Sequence, residues 1–216
     1  MKENKLTAAV IGATGLIGSH ILNQLINDSA YAEIRVLVRR SFEAADLRVK
    51  VIKLNFDDLH AFDAALQGVD VVFCAIGTTR SKTPDLNAYR KIDVDIPVNA
   101  AKLSEKNAVM SFQLVSSVGA NSLSNNFYLK MKGTVEDEVQ KLNIPSVSVF
   151  RPSLLLGKRN PPRLAEQISA VLMKPFVFLI PDQYKPIEAK QVAAAMIRAS
   201  KTQHPGFNIF HFSEMQ

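Results

Sequence analysis

Three glycines at intervals of three residues follow an apolar run near the start of the chain, in the stretch AVIGATGLIGSHIL. Gly12, Gly15 and Gly18 lie between a predicted strand that ends at Ile11 and a predicted helix that begins at Leu16. Glycines at this density indicate a backbone that passes very close to another group. Two interpretations fit the spacing: a loop that binds a nucleotide pyrophosphate at a helix N-terminus, or a tight turn that packs a helix on a strand.

Apolar runs and amphipathic segments alternate along the rest of the chain, which predicts alternating strands and helices. The predicted strands are 7–11, 34–38, 49–54, 69–76, 112–115, 145–150 and 207–212. The predicted helices are 16–27, 59–66, 89–105, 128–142, 164–173 and 189–200. This alternation is typical of an α/β fold with a doubly wound parallel sheet, in which ligands bind at the carboxyl ends of the strands. We expect one domain over residues 1–216, with a small substrate-side part formed from about residue 152 onward.

Composition narrows the classes of protein to which the chain could belong. Hydrophobic residues make up 47% of the sequence and charged residues 21%, without low-complexity tracts, which predicts a folded chain. The apolar run before Gly12 is too short for a secretory signal, so a cytoplasmic location is expected. The longest apolar stretch, in KPFVFLIP, is too short and too interrupted to span a membrane. That segment could be core or an exposed contact patch.

The remaining composition argues against metal and nucleic-acid sites. Cys74 is the only cysteine, and the four histidines lack the spacing of metal ligands, so neither a disulfide within the chain nor a metal site is expected. The net charge is +6, but the Lys and Arg residues are spread along the chain without interleaved aromatic residues. No nucleic-acid partner is therefore predicted.

The end of the second predicted strand indicates which dinucleotide would bind. An acidic side chain at this position holds the ribose 2′-hydroxyl of NAD, but Glu33 precedes the predicted strand and would lie at the wrong end. Arg39 and Arg40 follow the strand, and two guanidinium groups suit the 2′-phosphate of NADP. The pattern favours NADP(H) as cofactor and leaves NAD(H) as the alternative. The alternative for either arginine is a solvated charge at the strand end, and the presence of both weakens that interpretation.

Other positions at the same edge of the predicted sheet are expected to border the dinucleotide. Backbone N–H groups near the start of the first helix would face the phosphates, the end of the third strand would lie under the adenine, and the end of the fourth would pass under the adenosine and pyrophosphate. These positions are, in chain order, Thr14, Leu16, Ile17, Asn55, Phe56, Ala75, Ile76 and Gly77. The positions after the third and fourth strands also fit ordinary core or turn roles.

A tyrosine and a lysine four residues apart open the helix after the fifth predicted strand. Tyr128 and Lys132 in YLKMK would share one helix face, about 6 Å apart along the axis. An ammonium beside a phenol stabilises the phenolate, so the tyrosine could exchange a proton with a substrate. Ser116 and Ser117, at the end of the fifth strand, could hydrogen-bond the substrate oxygen. The spacing alone also fits a solvated helix face, and the position after a strand and serines is what favours chemistry.

The segments GATGLIG, SSVGA, YLKMK and SVFRPSLLLGKR, in this order, resemble the atypical short-chain dehydrogenase/reductases with an NAD(P)-binding Rossmann fold. The resemblance is strongest to the Tat-interacting oxidoreductase-like branch, which also has a GTTR segment after the fourth strand. It implies that Tyr128 gives or takes a proton, that Lys132 positions the cofactor, and that Ser117, or failing that Ser116, assists. It also implies that the loop after Pro152 borders the nicotinamide and the phosphates. The loop residues concerned are Leu154, Leu155 and Arg163.

Two features depart from the larger relatives. Asp93 stands where many of them have asparagine, which puts a proton relay through that position in doubt. The region after Pro161 is too small for the sugar-nucleotide lobe of the epimerases, which argues against UDP-sugar substrates.

Three functions remain after these observations. The favoured one is an NADP-dependent oxidoreductase of a small carbonyl compound. The alternatives are an NADP(H)-sensing binding protein without chemistry, for which KPFVFLIP would be the partner surface, and an NAD-dependent epimerase or isomerase. A homodimer through the helices near Tyr89 and Tyr128 is compatible with the fold, without support from individual residues.

Overall fold

A computed structural model describes residues 5–157, 181–202 and 204–216. The strands are β1 Leu6–Ile11, β2 Tyr31–Val38, β3 Val49–Lys53, β4 Val71–Cys74, β5 Ser111–Val115, β6 Ser146–Phe150, β7 Leu155–Leu156, β8 Ile187–Glu188 and β9 Gly206–Phe210. The α-helices are α1 Leu16–Ile26, α2 Leu59–Leu66, α3 Leu86–Arg90, α4 Ile96–Lys106, α5 Phe127–Gln140 and α6 Ala189–Thr202.

Seven parallel strands form the central sheet, in the order β3-β2-β1-β4-β5-β6-β9. The chain moves outward from β1 in one direction through β2 and β3. It then moves in the other direction through β4, β5, β6 and β9. The strand order therefore reverses between β1 and β4, and sheets of this kind bind ligands at the carboxyl ends of the strands at such a point. The predicted doubly wound α/β fold of Rossmann type is confirmed.

Side chains of the strands alternate between two apolar layers because successive residues of a strand point to opposite faces. Ala9 and Ile11 of β1 belong to the layer that includes residues of α2, α4 and α5. Ala8 and Val10 belong to the layer that includes residues of α1 and α6. Both faces of the sheet are thus covered by helices, which explains the continuous apolar runs of the central strands.

The long helix predicted at 89–105 is not continuous. It consists of α3, a five-residue π-helical turn at Lys91–Asp95, and α4. Asp85 caps α3 by accepting a hydrogen bond of 2.7 Å from the N–H of Ala88. The wider π turn changes which side chains face the sheet, and it directs Asp93 into the interior, where 1% of its surface is exposed.

Other boundaries differ from the predicted ones at strand ends. β2 begins at Tyr31, so Glu33 lies within the strand and not before it, where its carboxylate pairs with Arg35 and Lys50. β4 is shorter than predicted, and the last predicted strand ends at Phe210, before a 3₁₀ turn. Propensity does not mark these ends because hydrogen bonding to the neighbouring strand decides them.

Most described residues after 152 extend the main sheet and its helix layer. β9 pairs with β6, and α6 packs beside α1 in the same apolar layer. The short parallel pair of β7 and β8 is a separate addition that was not predicted. The predicted helix at 164–173 and nearly all of KPFVFLIP lie outside the described residues. Among the described helices, none has the length and hydropathy needed to cross a bilayer.

Candidate active site

The three glycines of the loop between β1 and α1 each meet a different steric requirement. Gly12 has a φ of +90°, and a Cβ there would lie 2.7 Å from backbone atoms of Ala75 and Ile76. A Cβ on Gly18 would overlap the carbonyl oxygen of Gly12. Gly15 is the N-cap of α1, and its N–H donates a hydrogen bond of 2.9 Å to the same oxygen. The loop is therefore packed between the end of β4 and the first turns of α1.

The N-terminus of α1 is not capped by a side chain. Gly15 cannot accept a hydrogen bond through a side chain, and the first turn contains no acidic residue. Thr14 and Gly15 are exposed, whereas Ile17 packs into the core and offers only its backbone. An uncapped helix N-terminus carries partial positive charge and N–H groups suited to a phosphate.

Arg39 and Arg40 follow β2 directly and are both exposed. Within the described part of the chain, neither side chain forms an ion pair. They stand at the carboxyl edge, because Leu37 of β2 is paired with Ile11 of β1. Glu33 lies in the amino-terminal half of β2, so it is remote from the edge where a ribose would lie, as the sequence analysis inferred.

The two positions predicted to contact adenine differ in availability. Asn55 is exposed, and its side-chain oxygen accepts a hydrogen bond of 3.2 Å from the N–H of Asp57. Phe56 is 5% exposed, and its ring packs edge to face on Phe62 at a centroid distance of 5.1 Å. The Phe56 ring belongs to the core, so only the backbone at this position is available to border an adenine, and the adenine position stays a prediction.

Lys132 is a buried cation whose head group lies beside a buried carboxylate. Its Nζ is 3.5 Å from Oδ1 of Asp93. The other oxygen of Asp93 accepts a hydrogen bond of 2.7 Å from the N–H of Thr78, while Oδ1 has no hydrogen-bond partner among the described residues. A Cβ on Gly77 would lie 3.3 Å from that Oδ1 and 3.8 Å from the ammonium. The end of β4, the π turn and α5 therefore meet at Lys132.

The charges in this cluster shift one another's titration. Burial raises the pKa of Asp93 above its ordinary value, and the Lys132 ammonium and the Thr78 N–H offset only part of that shift. Burial acts to lower the pKa of Lys132, but the charges of Tyr128 and Asp93 outweigh it, and the pKa lies above its ordinary value. Burial also raises the pKa of the Cys74 thiol to about 12, so this cysteine is not a nucleophile at neutral pH.

Tyr128 is the solvent-facing member of the pair on α5. Its side chain is 40% exposed, whereas Lys132, one helical turn later, is 6% exposed. The phenol is therefore open to a substrate, while the ammonium is shielded from water. Charge interaction between two such groups is stronger where one of them is desolvated.

The two serines after β5 have different surroundings. Ser116 is buried, and its hydroxyl donates a hydrogen bond to the carboxylate of Glu136, which also pairs with the guanidinium of Arg151. Ser117 donates only a long hydrogen bond of 3.3 Å to the carbonyl of Val118. Ser116 is engaged in a buried network, so Ser117 is the serine whose hydroxyl is better able to turn to a substrate.

The loop after the serines touches α5 through backbone atoms. A Cβ on Gly133 would overlap the backbone of Asn121 and Ser122. The N–H of Asn121 also donates a hydrogen bond of 3.1 Å to the carbonyl of Leu129. The helix that carries Tyr128 is therefore held directly against the loop that leaves β5.

The segment after β6 returns to the glycine loop. Leu155 pairs with Ile187 in the small second sheet, and its half-buried side chain packs on the layer that contains α1. A Cβ on Gly157 would lie 3.0 Å from the side chain of Leu16. Arg163, predicted to border the phosphates, lies outside the described residues.

Sequence reasoning missed Glu136, Arg151 and Thr78. Glu136 lies one turn after Lys132 on the same face of α5, a spacing that could have indicated a second buried charge. The contact between Thr78 and Asp93 has no such signal in the sequence, because it depends on the π turn.

Within the described ranges, no three His, Cys, Asp or Glu side chains lie close enough together to form a metal site.

The sequence matches the model of a protein family described as NAD(P)H-binding, over residues 12–202. The chain belongs to the NAD(P)H-binding family. It is 32% identical to Protein HTATIP2 of Rattus norvegicus over 185 residues, which cover 84% of this chain and 74% of that protein. It is 30% identical to Protein FMP52-1, mitochondrial, of Scheffersomyces stipitis over 204 residues, which cover 91% of this chain and 88% of that protein.

A solved structure shares the fold of this family member. The structure of MoeE5 in complex with UDP-glucose and NAD superimposes with a TM-score of 0.71 at 16% identity, covering 97% of this chain and 79% of that chain. The predicted relation to the Tat-interacting oxidoreductase-like branch of NAD(P)-binding proteins is confirmed. A nicotinamide cofactor and an oxidoreductase-type protein are therefore supported by the family. The cytoplasmic location stays a prediction, since the relative from S. stipitis is mitochondrial by name.

Proposed function

We propose that this protein is an NADP-dependent oxidoreductase that reduces the carbonyl group of a small substrate. The observation that carries the proposal is the buried ammonium of Lys132, which lies one helical turn after the exposed Tyr128 on α5 and beside Asp93 and Gly77 at the end of β4. A solvated helix face would not bury its lysine. The proposal extends the family's dinucleotide binding to a reaction and to a choice of cofactor.

The described residues fit a dinucleotide. The glycine loop has no room for side chains, and α1 begins without a side-chain cap, so its backbone N–H groups would hold the pyrophosphate. Arg39 and Arg40 would hold a 2′-phosphate, which supports NADP over NAD. Oδ1 of Asp93 faces the Lys132 ammonium but has no hydrogen-bond partner among the described residues, and Gly77 beside it carries no side chain, so the end of β4 would offer a polar boundary to the nicotinamide half.

The residues of the chain would divide the chemistry between them. The nicotinamide, when bound, supplies the hydride. Tyr128 would give a proton to the carbonyl oxygen as negative charge develops there, and the ammonium of Lys132 would stabilise the phenolate that remains. Ser117 would donate a hydrogen bond to the same oxygen, and Ser116 would keep the Glu136 carboxylate oriented toward Arg151.

The experiment is a measurement of NADPH and NADH oxidation by the purified protein with a panel of aldehydes and ketones. We expect turnover with NADPH and weaker turnover with NADH. Dinucleotide binding without turnover of any carbonyl would contradict the proposal and favour the sensing protein. A stoichiometric NAD that survives dialysis would favour an epimerase or isomerase.

A further inference from the structure

The loop between β4 and α3, residues 75–85, passes the buried Lys132 at Gly77 and then carries two cations. Arg80 and Lys82 are both exposed. The loop is fixed by a hydrogen bond of 2.8 Å between the hydroxyls of Thr78 and Thr83 and by one of the same length from the N–H of Thr83 to the carbonyl of Thr79. It is therefore a folded turn that presents its cations at a defined place.

The guanidinium of Arg80 lies over an aromatic ring next to the proposed proton donor. Its Cζ is 5.6 Å from the ring centroid of Phe127, and that ring packs edge to face on Tyr89 at 5.3 Å. Tyr89 is buried, so the Phe127 ring that packs on it is held in position. Phe127 is the first residue of α5, and Tyr128 is the second. The guanidinium is thereby held close to the start of the helix that carries the phenol.

Nearby carboxylates are engaged with other groups. Asp85 caps α3, Asp93 accepts from Thr78 and pairs with Lys132, and Asp95 pairs with Arg90 at 3.6 Å. Within residues 5–157, 181–202 and 204–216, the guanidinium of Arg80 forms no ion pair.

An arginine that stacks on a ring keeps the N–H donors at the edge of its guanidinium plane for a ligand. A carboxylate matches two of these donors at once, so it binds such a fork better than a neutral carbonyl does. We propose that Arg80 binds a carboxylate carried by the substrate, so that this protein acts on carbonyl compounds with a second, anionic group. The inference rests on the proposed function for the position of the reacting carbonyl at Tyr128.

Binding to the NADP⁺ complex tests this without turnover. The protein, saturated with NADP⁺, is titrated by calorimetry with 4-carboxybenzaldehyde and with its uncharged methyl ester. We expect the carboxylate to bind about tenfold more tightly, as a charge-assisted pair predicts. Arg80→Met should abolish that preference while changing the affinity for the ester and for NADP⁺ by less than about twofold. Lys82→Met, which removes a cation from the same turn, should retain the preference.

Several results would overturn the inference. They are equal binding of the acid and the ester by the unchanged protein, retention of the preference by Arg80→Met, and a loss of NADP⁺ affinity in Arg80→Met without loss of the preference. The last would assign the guanidinium to a cofactor phosphate. If no carbonyl is reduced with NADPH but the carboxylate preference is present and depends on Arg80, the proposed function fails and the anion site stands.

A measurement without variants guards against misfolding of Arg80→Met. The preference of the unchanged protein for the carboxylate should decline as salt rises from about 50 mM to about 500 mM, because ions screen a partly exposed charge pair. A preference that is independent of salt would contradict a guanidinium contact.

A conservative variant tests the shape of the guanidinium. Arg80→Lys, which keeps the positive charge and loses the planar pair of N–H donors, should retain about a third or less of the preference for the carboxylate over the ester.

Discussion

The carboxylate of Asp93 lies 3.5 Å from the ammonium of Lys132, and both side chains are almost completely buried. The pair joins the π turn before α4 to the helix that carries Tyr128. An isolated buried charge is costly, and each of these groups reduces the cost of the other.

Replacing Asp93→Asn should change how stability depends on pH. Burial raises the pKa of Asp93 in the folded protein. A carboxyl group of this kind stabilises the fold below its ordinary pKa, and the contribution is lost as the pH rises through the raised value. The Tm of the unchanged protein minus that of Asp93→Asn should therefore fall as the pH rises above about 4, the ordinary pKa of an aspartate, by a few degrees for each kcal/mol. A difference that grows with pH in thermal unfolding would contradict this.

Replacing Gly12→Ala should destabilise the protein more than replacing Gly68→Ala. Both glycines have positive φ, at +90° and +69°, so each alanine carries a backbone cost of about 1–2 kcal/mol. A Cβ at Gly12 also meets backbone atoms at 2.7 Å, whereas one at Gly68 meets nothing within 4 Å. Urea unfolding should show a further loss of about 1–3 kcal/mol at Gly12. Equal losses would show that the loop can open without cost.

Removing both Arg39 and Arg40 should weaken NADPH binding and have little effect on NADH. Replacement of both by alanine should cost about 10- to 100-fold in NADPH affinity by calorimetry, because two charge-assisted contacts to a 2′-phosphate are lost. The control is the double change Lys190→Ala and Arg198→Ala, which removes two exposed positive charges from α6. Parallel losses for NADPH and NADH would refute the cofactor choice.

Replacing Tyr128→Phe should abolish turnover while leaving NADPH binding nearly intact. The phenol acts on the substrate, so we expect kcat to fall by about 10²- to 10⁴-fold. Tyr184→Phe is the matched control, since Tyr184 is also partly exposed, at 48% compared with 40%. Steady-state rates of NADPH oxidation check this, and a variant with unchanged kcat would exclude Tyr128 as proton donor.

Substitutions of the two serines after β5 should affect different properties, with Ser116 affecting stability and Ser117 affecting activity. Ser116→Ala leaves the buried Glu136 carboxylate short of one donor, so we expect a loss of about 1–3 kcal/mol in the free energy of unfolding. Ser117→Ala should leave unfolding almost unchanged and lower kcat by about 10- to 100-fold. Denaturant unfolding and rate measurements on both variants test the assignment, which an activity loss confined to Ser116→Ala would reverse.

Local sequence was sufficient for the order of elements and for the glycine loop. Glycine spacing, apolar runs and helix periodicity each act within a few residues, so they predicted α1 after β1 and the serines after β5. They could not fix where β2 begins, because its first residues are set by pairing with β1, in which Tyr31 lies opposite Leu6 and Glu33 opposite Thr7. In the sequence alone, a polar residue beside an apolar run is readily taken as lying outside the strand.

The environment of Lys132 required the three-dimensional structure. Pro97 has no N–H to bond to the carbonyl of Asp93, which is a local sign of an irregular helix, but it does not predict that the irregularity is a π turn or that Asp93 is buried. Phe56 was placed near the adenine because it follows β3, but the sequence did not predict that its ring packs on Phe62. Such choices depend on which cavity in the core a side chain can fill.

Gly133 sets the distance between α5, which carries Tyr128, and the loop that follows the serines of β5. The backbone of α5 rests on the backbone of residues 121–122 with no side chain between them, so the separation equals the thickness of two main chains. A single methyl at Gly133 would push the two elements apart. Proteins that preserve this spacing would therefore need glycine at the position of Gly133, because even alanine would not fit there.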